Sequence, residues 1–282
     1  MSGTLFVVAT PIGNLEDISL RALRILREAD VIAAEDTRRT AKLLAHYGVA
    51  TPTISFHQHN VRSRTPPLLA RLRRGERIAL VTDAGTPGIS DPGVELVRAC
   101  RAEGIAVDPI PGPSAPITAA VASGFPLEPL TILGFAPSRS KARTTWLEGL
   151  AAIPNTLVFF ETPHRIRQTL ADMDSVLGIR PIFVGRELTK IHQELLSVDR
   201  AADVIGHITE PRGEFTVVVG PKLEQQSVTV RPSDRDLAAE IGYLTYLAPA
   251  GRRKTIAALA KRHGLSTNEV YLIIEKEKSS VK

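Results

Sequence analysis

Three glycine-containing loops that follow predicted strands are the first candidates for chemistry. They lie at residues 9–14, 81–93 and 111–115 and combine glycine with proline, and the second also carries two aspartates. Glycine lets the backbone approach a ligand closely, and α/β proteins bind ligands at the carboxyl edge of the sheet. One such loop could be a simple turn, but three at one sheet edge predict a binding site. The second loop suits a small polar ligand with both charges, such as an amino-acid moiety.

The long second loop leads into a predicted helix, for which Ser90 or Asp91 is the expected N-cap. The sequence contains neither a G-x-G-x-x-G pattern nor a G-x-x-x-x-G-K-[ST] pattern. It therefore predicts neither a dinucleotide fingerprint nor a phosphate loop of those types.

A second candidate group combines carboxylates with arginines after another predicted strand. Glu35 and Asp36 precede Arg38 and Arg39. A carboxylate at a strand end can accept a proton from a hydroxyl group, and a neighbouring arginine can hold a phosphate. The alternative is a surface ion pair in which Asp36 or Thr37 caps a helix.

Short β-branched segments alternate with longer amphipathic segments, which predicts an α/β fold. The predicted strands are Thr4–Ala9, Val31–Ala34, Arg77–Thr82, Ala106–Ile110, Leu130–Leu133, Thr156–Phe160, Pro181–Val184 and Glu214–Val219. The predicted helices are Ile18–Glu28, Arg38–Tyr47, Thr65–Arg74, Gly93–Ala102, Ser114–Ala122, Pro163–Val176 and Ala201–Ile208. Glycine and prolines near 123–129 and a polar stretch at 222–232 predict three domains, at 1–122, 123–222 and 232–282.

The last domain is predicted to be a small helical unit that resembles a helix-turn-helix. Helices are expected at Arg253–His263 and Thr267–Lys276, joined by Gly264-Leu265-Ser266. Ser266 and Glu269 have the spacing of a capping box. This unit carries eight Lys or Arg against three Asp or Glu between Pro249 and Lys282, and residues 18–77 carry twelve against five. Two basic regions suggest a polyanionic partner, although solvated helix faces would give the same count.

Composition limits the remaining classes. Hydrophobic residues make up 43% of the 282 residues, which is enough for a core. The single cysteine excludes an internal disulfide, and no metal site is expected. No apolar run approaches the ~18 residues of a membrane span, and no basic leader precedes an apolar stretch. A cytoplasmic protein without a membrane partner is expected.

Several segments, taken in order from about Thr4 to Val219, resemble the tetrapyrrole methylase superfamily. They resemble more closely its branch called ribosomal RNA small-subunit methyltransferase I. The matching segments are residues 10–14, 34–38, 83–88, 111–115, 159–165, 185–190 and 212–215. The porphyrinoid members have a Gly-Asp-Pro element in the second loop, where this chain has Gly85-Thr86-Pro87. This departure favours the RNA branch.

The resemblance implies two α/β domains with S-adenosylmethionine in the cleft between them, and a homodimer. It also implies 2′-O-methylation of a decoding-centre cytidine in small-subunit ribosomal RNA, with the assembled or nearly assembled 30S subunit as partner. The expected catalytic residues are Asp36, Glu35 and Arg38. The expected cofactor-binding residues are Pro11, Ile12, Gly13, Asn14, Asp83, Ala84, Gly85, Thr86, Pro87, Ser90, Pro113, Ser114, Ala115, Phe160, Glu161, Gly213 and Glu214.

Basic residues on loops and at helix starts are the expected RNA contacts. They are Arg38, Arg39, His57, Arg139, Lys141, Arg165, Arg252, Arg253 and Lys254. Residues 138–143 are expected to form a loop that contacts RNA or acts as a flap. Two alternatives stay open: a methylase of a tetrapyrrole precursor or other small substrate, and a helix-turn-helix DNA-binding regulator with an α/β sensor domain. The second is disfavoured by the few arginines on Thr267–Lys276.

Overall fold

The computed structural model describes residues 3–208, 210–222, 256–257, 260 and 265–280. The chain divides into two compact units, Met1–Lys222 and Leu223–Lys282. The predicted helix Arg253–His263 is described only at 256, 257 and 260, and the predicted RNA contacts Arg252, Arg253 and Lys254 lie outside the described residues.

The first half of unit Met1–Lys222 is built on a parallel sheet. Its strands are β1 (Thr4–Val8), β2 (Val31–Ala34), β3 (Thr53–Ser55), β4 (Arg77–Val81) and β5 (Ala106–Ile110), in the order β3-β2-β4-β1-β5. Helices α1 (Leu20–Glu28) and α2 (Thr37–His46) pack on one face, and α3 (Val61–Arg73) and α4 (Val94–Ala102) pack on the other. A parallel sheet covered on both faces needs continuous apolar strands, and all four residues of β2 are buried.

A mixed sheet follows. Helix α5 (Ala115–Ser123) leads to β6 (Leu130–Phe135), α6 (Ser140–Ala151), β7 (Thr156–Glu161), α7 (Ile166–Leu177), β8 (Ile182–Arg186), β9 (Glu194–Val198), α8 (Ala201–His207) and β10 (Phe215–Val219). The strand order is β6-β7-β10-β8-β9, and only β6 and β7 are parallel. Helices α6, α7 and α8 cover one face, and α5 packs on the other. The expected α/β fold is confirmed.

The segment around residues 138–143 differs from its prediction as a loop. Helix α6 begins at Ser140, and Arg143 is buried with its Nη2 2.6 Å from Asp172 Oδ2 on α7. Leu147 and Leu150 complete the buried face of this helix. The basic residues at its start concealed the amphipathic pattern, because one of them faces the core.

Two predicted helix starts are also wrong. Helix α4 begins at Val94 after Gly93, whose φ of 142° is open to glycine, so neither Ser90 nor Asp91 caps it. Helix α7 begins at Ile166, after a turn that contains Pro163. Both shifts lengthen the loops that follow β4 and β7, and these loops face each other.

In the C-terminal unit, the described residues include helix α9 (Thr267–Ser280). The predicted capping box is present: Ser266 N–H donates to Glu269 Oε2 at 2.8 Å, and Glu269 N–H donates to Ser266 Oγ at 3.2 Å. Ile256, Ala260 and Val270 form a small core. Throughout the described residues, no helix combines the length and apolar character needed to cross a bilayer.

Candidate active site

A cavity of about 380 Å³ lies between the carboxyl edge of the parallel sheet and the adjoining ends of β7 and β10. Its walls come from the loops after β2, β4 and β5 and from the segments around 160–163 and 213–216. The carboxyl ends of parallel strands meet at one edge of a sheet, so the fold itself brings these distant loops together.

The loop after β4 is held to the loop after β1 by two backbone hydrogen bonds. Thr10 N–H donates to Gly85 O at 2.9 Å, and Gly85 N–H donates to Thr10 O at 3.0 Å. Gly85 has a φ of +79°, a conformation that favours glycine. A Cβ on Gly85 would lie 3.5 Å from Ile12 Cγ2, which is ordinary contact. The glycine is therefore required by backbone conformation, whereas its surroundings have room for a methyl group.

The loop after β5 contains a buried hydroxyl group on a residue that lines the cavity. Ser114 precedes α5 at the N-cap position, yet its side chain makes no capping hydrogen bond. Its Oγ is buried and has no hydrogen-bond partner among the described residues. A buried polar atom without a partner is costly, so a ligand that bonds to Ser114 would remove this cost.

Carboxylates surround the base of the cavity. Glu35 Oε2 accepts a hydrogen bond from Asp83 N–H at 3.2 Å, and Arg39 Nη1 lies 3.4 Å from Asp83 Oδ2. Burial raises the pKa of Glu35. Burial, together with the nearby charge of Glu35, raises the pKa of Asp91 to about 7. Asp91 thus changes its charge near neutral pH, which is the property of a general base at work there.

The second sheet supplies an aromatic wall and a buried ion pair. Phe135 and Phe160 have ring centroids 5.3 Å apart. Glu161 is fully buried, and Arg165 Nη2 lies 2.7 Å from its Oε1. Thr169 Oγ1 also donates to Glu161, at 2.6 Å. This carboxylate is thus held by residues of the β7–α7 turn and of α7.

The structure brings most of the predicted cofactor residues to the cavity. Those that line it are Ile12, Asp83, Ala84, Gly85, Thr86, Ser90, Ser114, Ala115, Phe160, Glu161, Gly213 and Glu214. Pro11, Gly13, Asn14, Pro87 and Pro113 are not among the lining residues.

Two of the residues that do not line the cavity join the halves of Met1–Lys222. Asn14 N–H donates to Thr189 Oγ1 at 3.0 Å, and a Cβ on Gly13 would lie 2.7 Å from Leu188 O. Gly13 permits this close approach because it has no side chain. The end of the first loop therefore joins the two halves of Met1–Lys222 and does not face the cavity.

The three predicted catalytic residues do not all lie at the cavity. Glu35 lines the cavity, but Asp36 and Arg38 do not. Asp36 is the N-cap of α2 and accepts from Arg38 N–H at 2.9 Å and from Arg38 Nη2 at 2.8 Å. These hydrogen bonds from Arg38 lower the pKa of Asp36. A carboxylate with a lowered pKa is a weak base, so the geometry favours the alternative of a cap with an ion pair for this residue.

The predicted RNA contacts lie in different environments. Arg39 lines the cavity, and Arg139 and Lys141 are exposed at the start of α6. His57 follows β3 with its Nδ1 buried and unpartnered within the described part of the chain. The guanidinium group of Arg165 donates to Glu161, Thr162 and Ala136, which gives it a structural role, and its RNA contact stays a prediction.

Sequence reasoning missed Asp91 and Phe135 as lining residues. Asp91 was interpreted as a helix cap because it precedes an apolar helix. The signal for Phe135 was the glycine before it: Gly134 has a φ of +73° and sits where the β6–β7 register shifts. A bulge of this kind redirects the next side chain.

Comparison with known proteins agrees with this architecture. Residues 4–203 match the model of the family described as Tetrapyrrole (Corrin/Porphyrin) Methylases. A ribosomal RNA small subunit methyltransferase I of Halalkalibacterium halodurans is 44% identical over 281 residues, which are 98% of this chain and 96% of that protein. A ribosomal RNA small subunit methyltransferase I of Escherichia coli O157:H7 is 40% identical over 95% of this chain and 93% of its own length.

Solved structures show the same fold at low identity. A uroporphyrin-III C-methyltransferase from Thermus thermophilus, complexed with S-adenyl homocysteine, is 20% identical with a TM-score of 0.55, over 77% of this chain and 97% of that chain. A diphthine synthase is 15% identical with a TM-score of 0.61, over 77% of this chain and 90% of that chain. Methylases of the family use S-adenosylmethionine. This chain therefore belongs to the tetrapyrrole methylase family, in its branch of ribosomal RNA small subunit methyltransferase I proteins.

Proposed function

We propose that this chain transfers a methyl group from S-adenosylmethionine to the ribose 2′-hydroxyl of a decoding-centre cytidine in small-subunit ribosomal RNA. The observation that carries the proposal is the 44% identity, over nearly the whole of both chains, with a ribosomal RNA small subunit methyltransferase I. The cavity at the junction of the two sheets is the proposed site of transfer.

The residues of the cavity fit the cofactor. S-adenosylmethionine carries a sulfonium and an ammonium charge against one carboxylate, and when bound it supplies an electrophilic methyl group. The cavity offers several carboxylates, those of Glu35, Asp83, Asp91 and Glu214, to a cationic ligand. The unpartnered Ser114 Oγ and the backbone around Gly85 offer hydrogen bonds.

We assign the acceptance of the 2′-hydroxyl proton to Asp91. Its carboxyl group lines the cavity and has a pKa of about 7, so it is partly ionised at neutral pH and binds a proton readily. Burial, and after it the negative charge of Glu35, the predicted catalytic carboxylate that lines the same cavity, raise this pKa. Arg39 lies at the same site and can hold a phosphate of the target nucleotide. Arg38 remains a predicted phosphate contact.

The partner and assembly follow from the same proposal. The substrate is the small subunit in its assembled or nearly assembled form, in the cytoplasm, and the enzyme is a homodimer. The domains at 1–122 and 123–222 enclose the cofactor, and residues 232–282 add affinity for RNA through their basic side chains. The methylase of a tetrapyrrole precursor is the competing assignment, because solved enzymes of that kind share the fold.

The test is to map ribose methylation in small-subunit ribosomal RNA from a strain that lacks this gene. One 2′-O-methyl group should disappear and should return when the wild-type gene is restored. The Asp91→Asn gene should fail to restore it, whereas Asp36→Asn should succeed. An unchanged methylation map in the deletion strain would refute the proposed function.

A further inference from the structure

We propose that residues 57–64, here called the β3–α3 edge, hold the RNA strand as it enters the cavity, chiefly through the guanidinium groups of Arg62 and Arg64. This inference rests on the proposed function and adds a surface for its substrate.

The β3–α3 edge is continuous with the cavity. Strands β2 and β3 are parallel with Ala34 opposite Ser55, and Phe56 N–H donates to Ala34 O at 2.7 Å. Glu35, which lines the cavity, directly follows β2, and His57 lies two residues after the end of β3. The two side chains lie close enough to interact electrostatically. A strand of RNA that leaves the cavity in this direction therefore passes over the β3–α3 edge.

The charges along α3 divide into two groups. At its carboxyl-terminal end, Arg71 and Arg74 pair with Glu76 at 2.5 and 3.0 Å, and Arg73 pairs with Glu103 at 2.6 Å. At its amino-terminal end, Arg62 and Arg64 are exposed and form no ion pair with any residue that the structure describes. The end of the helix beside the cavity thus keeps both of its positive charges unpaired, whereas the three arginines of the far end share the two carboxylates of Glu76 and Glu103. A polyanion would be attracted more strongly to the first end than to the second.

The edge is also fixed in shape. His57 N–H donates to Asn60 Oδ1 at 2.8 Å, and Asn60 Nδ2 donates to Ser55 O at 3.3 Å and to Ser55 Oγ at 3.2 Å. Phe56 is completely buried beneath it. A turn held in this way places the first turn of α3 in one position, so less conformational freedom is lost when phosphates bind. The exposed ring of His59 adds a surface on which a base can stack.

A pair of double variants on one helix tests the proposal. Arg62→Gln with Arg64→Gln removes the unpaired charges, and Arg73→Gln with Arg74→Gln removes the same number of positive charges from the paired end. Binding of the full chain to small-subunit ribosomal RNA is measured at several salt concentrations. Each lost phosphate contact lowers the slope of log K against log salt by roughly 0.7 on single-stranded RNA, so the first variant should lose about 1.4. The slope of the second variant should fall by less than half of that amount.

The remaining outcomes separate the inference from the proposed function. Arg62→Lys with Arg64→Lys should retain the wild-type slope, because the charges remain, and calorimetric affinity for S-adenosylmethionine should be unchanged in every variant. Equal losses in the two glutamine variants, or a wild-type slope in the first, would overturn the β3–α3 edge while methylation by the wild type continued. A wild-type protein that neither binds nor methylates the RNA would overturn both.

Discussion

The second half of Met1–Lys222 and the carboxyl edge of the first sheet use similar polar residues in different ways. In the second half, Arg143 pairs with Asp172 and Arg165 with Glu161. Arg180 is buried and donates to the carbonyl oxygens of Leu150, Ile153, Asn155 and Gly220. Each of these guanidinium groups has its bonds supplied by the protein.

The carboxyl edge of the first sheet leaves its polar groups available. Ser114 Oγ has no partner among the described residues, the carboxyl group of Asp91 has a pKa near neutrality, and Arg62 and Arg64 form no ion pair within the described ranges. The contrast teaches that residue type alone does not identify a functional group. The partner that the fold provides, or withholds, decides whether an arginine or a carboxylate serves stability or a ligand.

The largest expected effect lies at the first edge. Asp91→Asn should reduce the rate of methyl transfer by about 10²–10⁴-fold, the usual contribution of a general base. Because burial raises the pKa of Asp91 to about 7, its carboxyl group is protonated below that pH and ionised above it. The wild-type rate should therefore rise as pH increases through about 7, and this rise should be absent in the variant. Single-turnover rates at saturating cofactor measure both.

Asp36→Asn is the matched control for this prediction. Arg38 lowers the pKa of Asp36, so this carboxylate stays ionised across the same pH range and contributes no titration. Its rate should change by less than about threefold, far below the usual contribution of a base. A large loss of rate in Asp36→Asn together with a small loss in Asp91→Asn would show that Asp36, and not Asp91, is the general base.

The next largest effect tests the second half. Arg165→Ala leaves the fully buried Glu161 without its cation, which should lower the free energy of unfolding by about 3–5 kcal/mol. Arg139→Ala, at an exposed position, should have little effect. Urea denaturation of both variants measures the difference. If Arg165→Ala were as stable as the wild type but bound RNA weakly, Arg165 would be an RNA contact after all.

The smallest effect concerns the backbone of the cavity. Gly85→Ala places a Cβ at a φ of +79°, which should cost about 1–2 kcal/mol in a left-handed conformation. Gly149→Ala, where a Cβ meets nothing within 4 Å in helix α6, should instead stabilise the protein by up to about 1 kcal/mol. Thermal unfolding with and without S-adenosylmethionine measures both. A neutral Gly85→Ala would show that this loop relaxes at little cost.

The sequence predicts β1, β2 and β4 of the parallel sheet well because these strands are mostly apolar and buried. The bounds of β2 and β5 agree with prediction, and the cavity-lining loops after β4 and β5 were found from glycine and proline alone. Edge strand β9 was missed, since exposed positions alternate in it with half-buried ones and give little apolar signal. Asp91 was missed as a cavity residue because it was interpreted as a helix cap. Its raised pKa could not be predicted either, since it depends on burial and on Glu35, which is distant in sequence.

The same limit applies to the arginines. Arg62 and Arg165 are the same residue type near predicted helix starts, yet one is exposed without an ion pair among the described residues and the other is bound to a buried carboxylate. The sequence does not show which acidic residue will lie beside each of them. Only the tertiary contacts separate a ligand surface from a structural pair.

Transfer of labelled methyl groups by the purified protein tests the central claim most directly. The full chain is incubated with methyl-labelled S-adenosylmethionine and small ribosomal subunits that lack the modification, and the RNA is digested to nucleosides. We predict that the label is recovered in 2′-O-methylcytidine, and that the Asp91→Asn protein transfers little of it. Label confined to a base, or absent from RNA but present in a supplied tetrapyrrole precursor, would contradict the proposed function.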